Sequence, residues 1–133
     1  MIVVDASAVL ELLLNTPTGQ AVAERITAST HGLHAPHLVD VEIAQALRRY
    51  AREGKLALTE AAEAIDDLHD LDLKRHAHEP LVDRIWQLRE NFSAYDAAYI
   101  ALAEALDAVL LTCDARLTRA PGAARRVELV ART

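Results

Sequence analysis

Two aspartates stand at the ends of the two clearest predicted strands of this 133-residue chain. Asp5 follows the apolar run 2–4, and Asp114 comes shortly after the apolar run 108–112. In an open parallel sheet, sites form beyond the carboxyl ends of the strands, so both carboxylates are expected at one edge. Two carboxylates close together and shielded from water repel each other, and one stays protonated unless a cation is present. The two aspartates therefore predict a divalent-cation site.

Two further acids border apolar helical surfaces. Glu42 lies three residues after Val39 and four before Ala46, so it borders the apolar stripe of a predicted helix. Asp96 lies in the first turn of an Ala-rich helix, directly before the apolar run 97–100. Carboxylates from four separate elements would supply oxygen-only ligands, which suit Mg²⁺ or Mn²⁺ rather than zinc.

Each of these acids also has a purely structural interpretation. Asp5 and Asp114 each precede a predicted helix, where an aspartate serves as an N-cap. Asp96 has the spacing of the acid in a capping box that begins at Ser93. Glu42 fits a partly solvated helix acid. Spacing leaves both interpretations open, but the joint occurrence of four such acids favours a metal site.

Histidine and cysteine offer a second kind of candidate site. The histidine groups lack the i, i+4 spacing of helical zinc sites, so we interpret them as surface or capping residues. Cys113, the only cysteine, is expected to be a small buried apolar residue rather than a nucleophile. The two histidine groups are His31-His34-His37 and His76-His78.

Apolar runs alternate with helical stripes along the whole chain. This alternation predicts a single α/β domain over residues 1–133, with a mainly parallel sheet of about four or five short strands flanked by helices. The predicted strands are 2–4, 33–35, 72–77, 108–112 and 127–130. The predicted helices are 6–14, 17–28, 37–53, 59–71, 80–90 and 94–106, with a short one after 114.

Charge and hydropathy limit the class of protein. The formal net charge of -6 argues against a general polyanion binder, but positive charge is concentrated in residues 48–55 and 115–133. Arginine makes bidentate contacts with phosphate, so arginines of these segments are candidate phosphate ligands. Without a basic leader or a long apolar run, we expect a soluble cytoplasmic domain with no membrane contact. The candidate arginines are Arg48, Arg49, Arg52, Arg116 and Arg119.

Four segments around the acids together resemble the PIN-domain ribonucleases, and more narrowly the VapC toxins of bacterial toxin–antitoxin pairs. The acids follow the family's order, and the resemblance extends from the first residue to the last. It implies that Asp5, Glu42, Asp96 and Asp114 are the catalytic, metal-binding acids, with Ser7 and Thr112 supporting them. The segments are IVVDAS at 2–7, PHLVDVEIAQALRR at 36–49, SAYDAAYIALAE at 93–104 and LLTCDARL at 110–117.

The resemblance also implies an activity and partners. The protein would be the toxin of a type II toxin–antitoxin system and an endoribonuclease dependent on Mg²⁺ or Mn²⁺. It would hydrolyse RNA phosphodiester bonds with metal-activated water. Its partners would be RNA, a VapB-like antitoxin that blocks the acidic site, and a second copy of the chain, in a homodimer and in toxin–antitoxin hetero-oligomers.

Apolar residues near the N-terminus exceed what one short helix pair needs, so we expect a partner to cover some of them. Tyr95 is expected to pack rather than to act chemically, and Trp86 and Phe92 are expected in the core or in an interface. The N-terminal apolar residues are Leu10, Leu12, Leu13, Leu14, Val22 and Ile26.

Two alternative functions remain open. In a haloacid-dehalogenase-like phosphatase, Asp5 would accept the phosphoryl group, although Ser7 stands where that family has a second aspartate. The chain would otherwise be a catalytically inactive PIN domain or a receiver-like binding module. A receiver needs a lysine late in the chain, and none follows Lys74.

Overall fold

A five-stranded sheet runs through the residues described by this computed structural model, which are 1–29, 31–119, 122 and 126–133. Its strand order is β3-β2-β1-β4-β5, and every pairing is parallel. The prediction of a mainly parallel sheet with about four or five strands is confirmed. The strands are β1 (Ile2–Val4), β2 (Leu33–Pro36), β3 (Leu73–His76), β4 (Val109–Thr112) and β5 (Val127–Leu129).

Six α-helices connect the strands in the described part of the chain. The predicted helix 80–90 is shorter than expected, because it opens with a 3₁₀ turn at Glu79–Leu81 and ends in hydrogen-bonded turns after Gln87. No helix among the described residues is long and apolar enough to cross a membrane. The helices are α1 (Ala6–Leu13), α2 (Pro17–Thr27), α3 (Leu38–Arg52), α4 (Leu58–Asp70), α5 (Val82–Gln87) and α6 (Ala94–Leu106).

The core lies around the two central strands, β1 and β4. Val3, Leu110 and Leu111 are fully buried, since helices cover both faces of the sheet. Burial of each such side chain contributes roughly 1.5–3 kcal/mol. Helix α6 packs against β1, β2 and β4 and buries all of residues 97–103. Its small alanines allow this close approach, which positions the first turn of α6 beside the sheet.

The apolar residues near the N-terminus pack largely within the fold, but four of them keep part of their surface accessible, so the expectation that a partner covers some of them stays a prediction. They are either buried or partly buried against the core, because α1 and α2 lie close together. Gly19 permits this contact, since a Cβ there would lie 1.9 Å from the carbonyl oxygen of Glu11. The residues concerned are Leu10, Leu12, Leu13, Leu14, Val22 and Ile26.

Other large apolar side chains are exposed instead. Tyr95 is 67% exposed, so the expectation that it packs was wrong, and Trp86, at 66%, is not a core residue. Phe92 is partly buried against the core, as expected. These exposed aromatics lie on or beside α5 and α6 rather than at the N-terminus.

The strand order reverses between β1 and β4. The chain passes from β1 to β2 and β3 on one side of the sheet, and then returns to form β4 and β5 on the other. Such a reversal opens a crevice at the carboxyl ends of the strands. Asp5 and Asp114 follow β1 and β4, so the topology places both beside this crevice.

Candidate active site

The four acids selected from the sequence line one pocket at the strand reversal, with a volume of about 290 Å³. Asp5 comes from the start of α1 and Glu42 from α3, whereas Asp96 comes from α6 and Asp114 follows β4. Four acids that are far apart in sequence therefore converge through the fold.

Asp5 is the deepest of these acids and is 6% exposed. Its Oδ1 accepts hydrogen bonds from the Ser7 hydroxyl at 2.7 Å and from the Ala8 N–H at 3.0 Å. Its Oδ2 accepts one from the Thr112 hydroxyl at 2.5 Å. Burial raises the pKa of Asp5, although these donors oppose the shift. Asp5 is also the N-cap of α1, so it has a structural role as well as a place in the pocket.

The hydroxyls of Ser7 and Thr112 link Asp5 to the end of β4. The Thr112 hydroxyl accepts from the Asp114 N–H at 2.9 Å, and the Ser7 hydroxyl accepts from the Cys113 N–H, also at 2.9 Å. The two hydroxyl oxygens lie 3.3 Å apart. This network holds the backbone around Asp5 and Asp114 in one arrangement.

Glu42 is held by a residue that the sequence analysis missed. The hydroxyl of Tyr99, which is buried on α6, donates to Glu42 Oε1 at 2.5 Å. Burial raises the pKa of Glu42, and the charges of Asp96 and Asp5 raise it further. Tyr99 lies three residues after Asp96, and residues at this spacing share one face of a helix. This spacing from Asp96 is the signal from which Tyr99 could have been selected.

Asp96 lies in the first turn of α6, close to where the helix begins. The hydroxyl of Ser93 accepts from the Asp96 N–H at 3.1 Å and caps the helix. The carboxylate of Asp96 lines the acidic pocket, and burial raises its pKa. The capping that the sequence predicted thus orients the backbone that carries this acid.

Asp114 has a cationic partner two residues further along the chain. The Arg116 guanidinium binds it in a bidentate manner, with Nη2 2.6 Å from Oδ2 and Nε 3.1 Å from Oδ1. This partner lowers the pKa of Asp114. The Asp114 carboxylate also accepts from the Arg116 N–H at 3.0 Å and so caps the following 3₁₀ turn.

Three arginines line the acidic pocket together with the acids. Arg49 and Arg116 were candidates from the sequence, whereas Arg132 was not selected. Arg132 pairs with Glu11 at 3.1 Å, and its position in the C-terminal basic segment was the available signal. These three guanidiniums place positive charge at the edge of a pocket that is otherwise acidic.

The remaining candidate arginines lie outside the pocket. Arg48, Arg52 and Arg119 are exposed and do not line it. Within the described part of the chain, no carboxylate lies within ion-pairing distance of Arg48 or Arg52. Arg125, which belongs to the C-terminal basic segment, lies outside the described residues.

The donor set fits a hard divalent cation. All four acids offer oxygen, and three of them have raised pKa values that a nearby cation would lower. No three His, Cys, Asp or Glu side chains among the described residues are already grouped as metal ligands. Glu42 and Asp114 instead bond to Tyr99 and Arg116, so Arg116 would compete with a cation for the Asp114 carboxylate.

Three histidines and Cys113 have structural positions. His78 Nε2 accepts from the Leu38 N–H at 2.9 Å and caps α3, which confirms the interpretation as a capping histidine. His34 Nδ1 lies 2.9 Å from His76 Nε2, and the two rings pair between β2 and β3. Cys113 is buried, as expected, and burial raises the pKa of its thiol to about 11.

Known proteins resemble this chain over most of its length. Ribonuclease VapC9 of Mycobacterium tuberculosis is 48% identical over 118 residues, which cover 89% of each chain. Ribonuclease VapC12 of the same species is 40% identical over 131 residues, covering 98% of this chain and all of the relative. Ribonuclease VapC1, also from that species, is 41% identical over 129 residues and covers 96% of each chain.

Solved structures and a family model complete the comparison. The protein PAE2754 of Pyrobaculum aerophilum superposes with a TM-score of 0.69 at 27% identity, covering 91% of this chain and 85% of that one. VapC20 of M. tuberculosis, described as a sarcin–ricin loop cleaving toxin, shares the fold with a TM-score of 0.64 at 16% identity, covering 86% and 91%. The model of the PIN domain matches residues 2–123. The chain therefore belongs to the PIN-domain family.

Proposed function

We propose that this protein is the ribonuclease toxin of a VapBC-type toxin–antitoxin pair and that it hydrolyses RNA with the help of Mg²⁺ or Mn²⁺. The observation that carries the proposal is the convergence of Asp5, Glu42, Asp96 and Asp114 in one pocket. The relatives support it, since several with 40–48% identity are named VapC ribonucleases.

The four acids would hold the cation. When bound, such an ion lowers the pKa of water and neutralises negative charge on the scissile phosphate. Ser7 and Thr112 orient Asp5 through their hydrogen bonds, and Tyr99 orients Glu42 in the same way. No side-chain nucleophile is needed.

The arginines would hold the RNA backbone. Arg49, Arg116 and Arg132 line the pocket, where a guanidinium can donate two hydrogen bonds to one phosphate. Arg48, Arg52 and Arg119 lie outside the pocket and would contact phosphates farther from the scissile bond. Positive charge at the rim offsets the repulsion between acids and RNA until the cation binds.

The proposal includes partners and a location. A VapB-like antitoxin would neutralise the enzyme by covering the acidic pocket, and two copies of the chain would form a homodimer within a toxin–antitoxin hetero-oligomer. The place of action would be the cytoplasm, where the RNA substrate and the antitoxin are made.

RNA cleavage by the purified protein tests the proposal. We expect cleavage with Mg²⁺ or Mn²⁺, none with a chelator, and a loss of at least about 100-fold in Asp5→Ala and Asp96→Ala, since each removes a ligand. Asp67→Ala is the matched control, because Asp67 is an exposed aspartate on α4. Equal cleavage under all of these conditions would contradict the metal-carboxylate mechanism.

The alternative functions gain no support from the structure. The phosphatase alternative is not supported by the comparisons, because the model of the PIN domain matches residues 2–123 and the relatives are named ribonucleases. A catalytically inactive PIN domain would bind RNA or the antitoxin without cleaving RNA, so the same assay distinguishes it from the enzyme.

A further inference from the structure

A shallow cleft of about 330 Å³ adjoins the acidic pocket. The two cavities share Glu42, Ala46 and Arg49, so they form one continuous surface along α3. A chain molecule whose phosphate lies at the acids would therefore extend directly into the cleft. Its lining residues are Val41, Glu42, Gln45, Ala46, Arg49 and Tyr95.

Two apolar side chains in the cleft are largely exposed to water. Val41 is 71% exposed and Tyr95 is 67% exposed. Each directly precedes a pocket acid in the sequence, Val41 before Glu42 and Tyr95 before Asp96. The helices that position the acids thus also position an exposed aromatic ring and an exposed aliphatic group. Such a surface beside a polar site favours a ligand with a flat apolar part.

Polar groups complete the cleft on the α3 side. Gln45 and Arg49 follow Glu42 by three and seven residues, which places all three on one face of the helix. An amide can donate to and accept from the edge of a base, and a guanidinium can bind a phosphate. Arg49 stacks over the Tyr50 ring at 5.3 Å, and within the described residues no acid lies within ion-pairing distance of it.

We infer that this cleft binds the base of a nucleotide that flanks the scissile phosphate. Tyr95 stacks on the base, Gln45 bonds to its edge, and Arg49 holds the adjoining phosphate. The inference rests on the proposed function, because it takes RNA as the substrate. A single-stranded RNA fits these groups, since unpaired bases stack on aromatic side chains and bond through their edges. A single nucleotide supplies a flat base for Tyr95, donors and acceptors at the base edge for Gln45 and a phosphate for Arg49.

Binding and cleavage of a short single-stranded RNA by the full chain test the inference. Binding is measured by fluorescence anisotropy in chelator, and cleavage is measured with Mg²⁺. We expect Tyr95→Ala to weaken binding about tenfold and to raise KM, whereas Tyr95→Phe keeps the ring and stays near wild type. Trp86→Ala is the matched control, because Trp86 is 66% exposed and does not line the cleft.

An RNA with an abasic nucleotide beside the cleavage site identifies the contact. Wild type should bind this RNA at least about tenfold more weakly than the intact RNA, whereas the difference should be much smaller in Tyr95→Ala, which keeps only the Gln45 contact to the base. If wild type cleaves RNA but Tyr95→Ala has the same binding and KM, the subsite is overturned while the proposed function stands. The subsite is also overturned if Tyr95→Ala loses affinity only for an antitoxin peptide. If wild type neither binds nor cleaves RNA, both proposals fail together.

Discussion

At the scale of single residues, the ion pair between Arg116 and Asp114 determines whether the Asp114 carboxylate is free to bind a cation. The Arg116 guanidinium binds the Asp114 carboxylate at 2.6 Å, yet the Arg116 side chain is 71% exposed. An ion pair that is this exposed contributes only about 0–1 kcal/mol. Arg116 would therefore be a weak competitor for a cation held by several carboxylates, and a guanidinium released from Asp114 would be free to bind a phosphate.

Removal of Arg116 is expected to strengthen metal binding. Arg116→Ala frees the Asp114 carboxylate and removes a competing positive charge, so affinity for Mn²⁺ should rise about fivefold. Isothermal titration calorimetry on the purified protein measures this affinity directly. Arg119→Ala, a change at an exposed arginine directly after the same 3₁₀ turn, should leave it unchanged. Unchanged or weaker Mn²⁺ binding in Arg116→Ala would show that the pair does not compete with the metal.

At the scale of elements, the contact between α1 and α2 holds the last turn of α1 against the first turn of α2. The Gly19 N–H bonds to the Thr16 hydroxyl at 2.9 Å, and the glycine faces the Glu11 backbone directly. No side chain fits between these two helices at this point. Their spacing therefore depends on the absence of a Cβ at Gly19.

A methyl group at Gly19 is expected to destabilise the fold. Gly19→Ala would place a Cβ 1.9 Å from a backbone oxygen, so the helices must separate, at a cost of roughly 3 kcal/mol. Urea unfolding at neutral pH measures the free energy of unfolding. In Gly32→Ala the nearest atom to the new Cβ is a histidine ring nitrogen 3.7 Å away, so the change should stay within about 0.5 kcal/mol. Equal stability of the two variants would mean that α1 and α2 adjust freely.

At the scale of the whole molecule, the net charge does not describe the charge at the pocket, where acids and arginines lie side by side. The net charge is -6, while several arginines are neutralised by acids from distant parts of the chain, as in the pairs Arg25–Glu128 and Arg84–Glu104. The acids of the pocket remain close together, and Arg49 lies beside them without an acidic partner among the described residues. A negative net charge is thus compatible with an RNA substrate.

At the scale of the whole molecule, the His34–His76 pair is expected to lower the stability of the fold as the pH falls from 7 to 5. Burial lowers the pKa of His34 and of His76, and His34 is lowered further by His76. The positive charges of Lys74, and of His37 towards His76, act in the same direction. A histidine in the unfolded chain then takes up protons at a higher pH than in the fold. Acid therefore favours unfolding.

Urea unfolding at pH 7 and pH 5 checks this dependence. His76→Gln removes the pair and should flatten the dependence relative to wild type. The acids of the pocket titrate alike in both proteins, so the comparison isolates the histidines. His69→Gln changes an exposed histidine on α4 and should keep the slope of wild type. A slope that is identical in all three proteins would exclude the His34–His76 pair as its source.

The sequence predicted the fold well because its signals are local. The apolar runs of β1 and β4, the stripe of α3 and the cap at Ser93 depend on neighbouring residues alone. The alternation of strands and helices then predicted a parallel sheet, and the strand ends located Asp5 and Asp114. Helix 80–90 was predicted too long, because periodicity does not distinguish an α-helix from 3₁₀ and hydrogen-bonded turns.

By itself, the sequence determined the strands, the helices and which acids stand at their ends, since periodicity and strand ends are properties of adjacent residues. Only the tertiary structure decided what those acids touch. Tyr99 meets Glu42 across 57 positions, and Thr112 meets Asp5 across 107. The tertiary structure also decided that the N-terminal leucines pack against the core and that Tyr95 is exposed. Such contacts depend on how helices pack on the sheet, because packing joins surfaces that the chain order keeps apart.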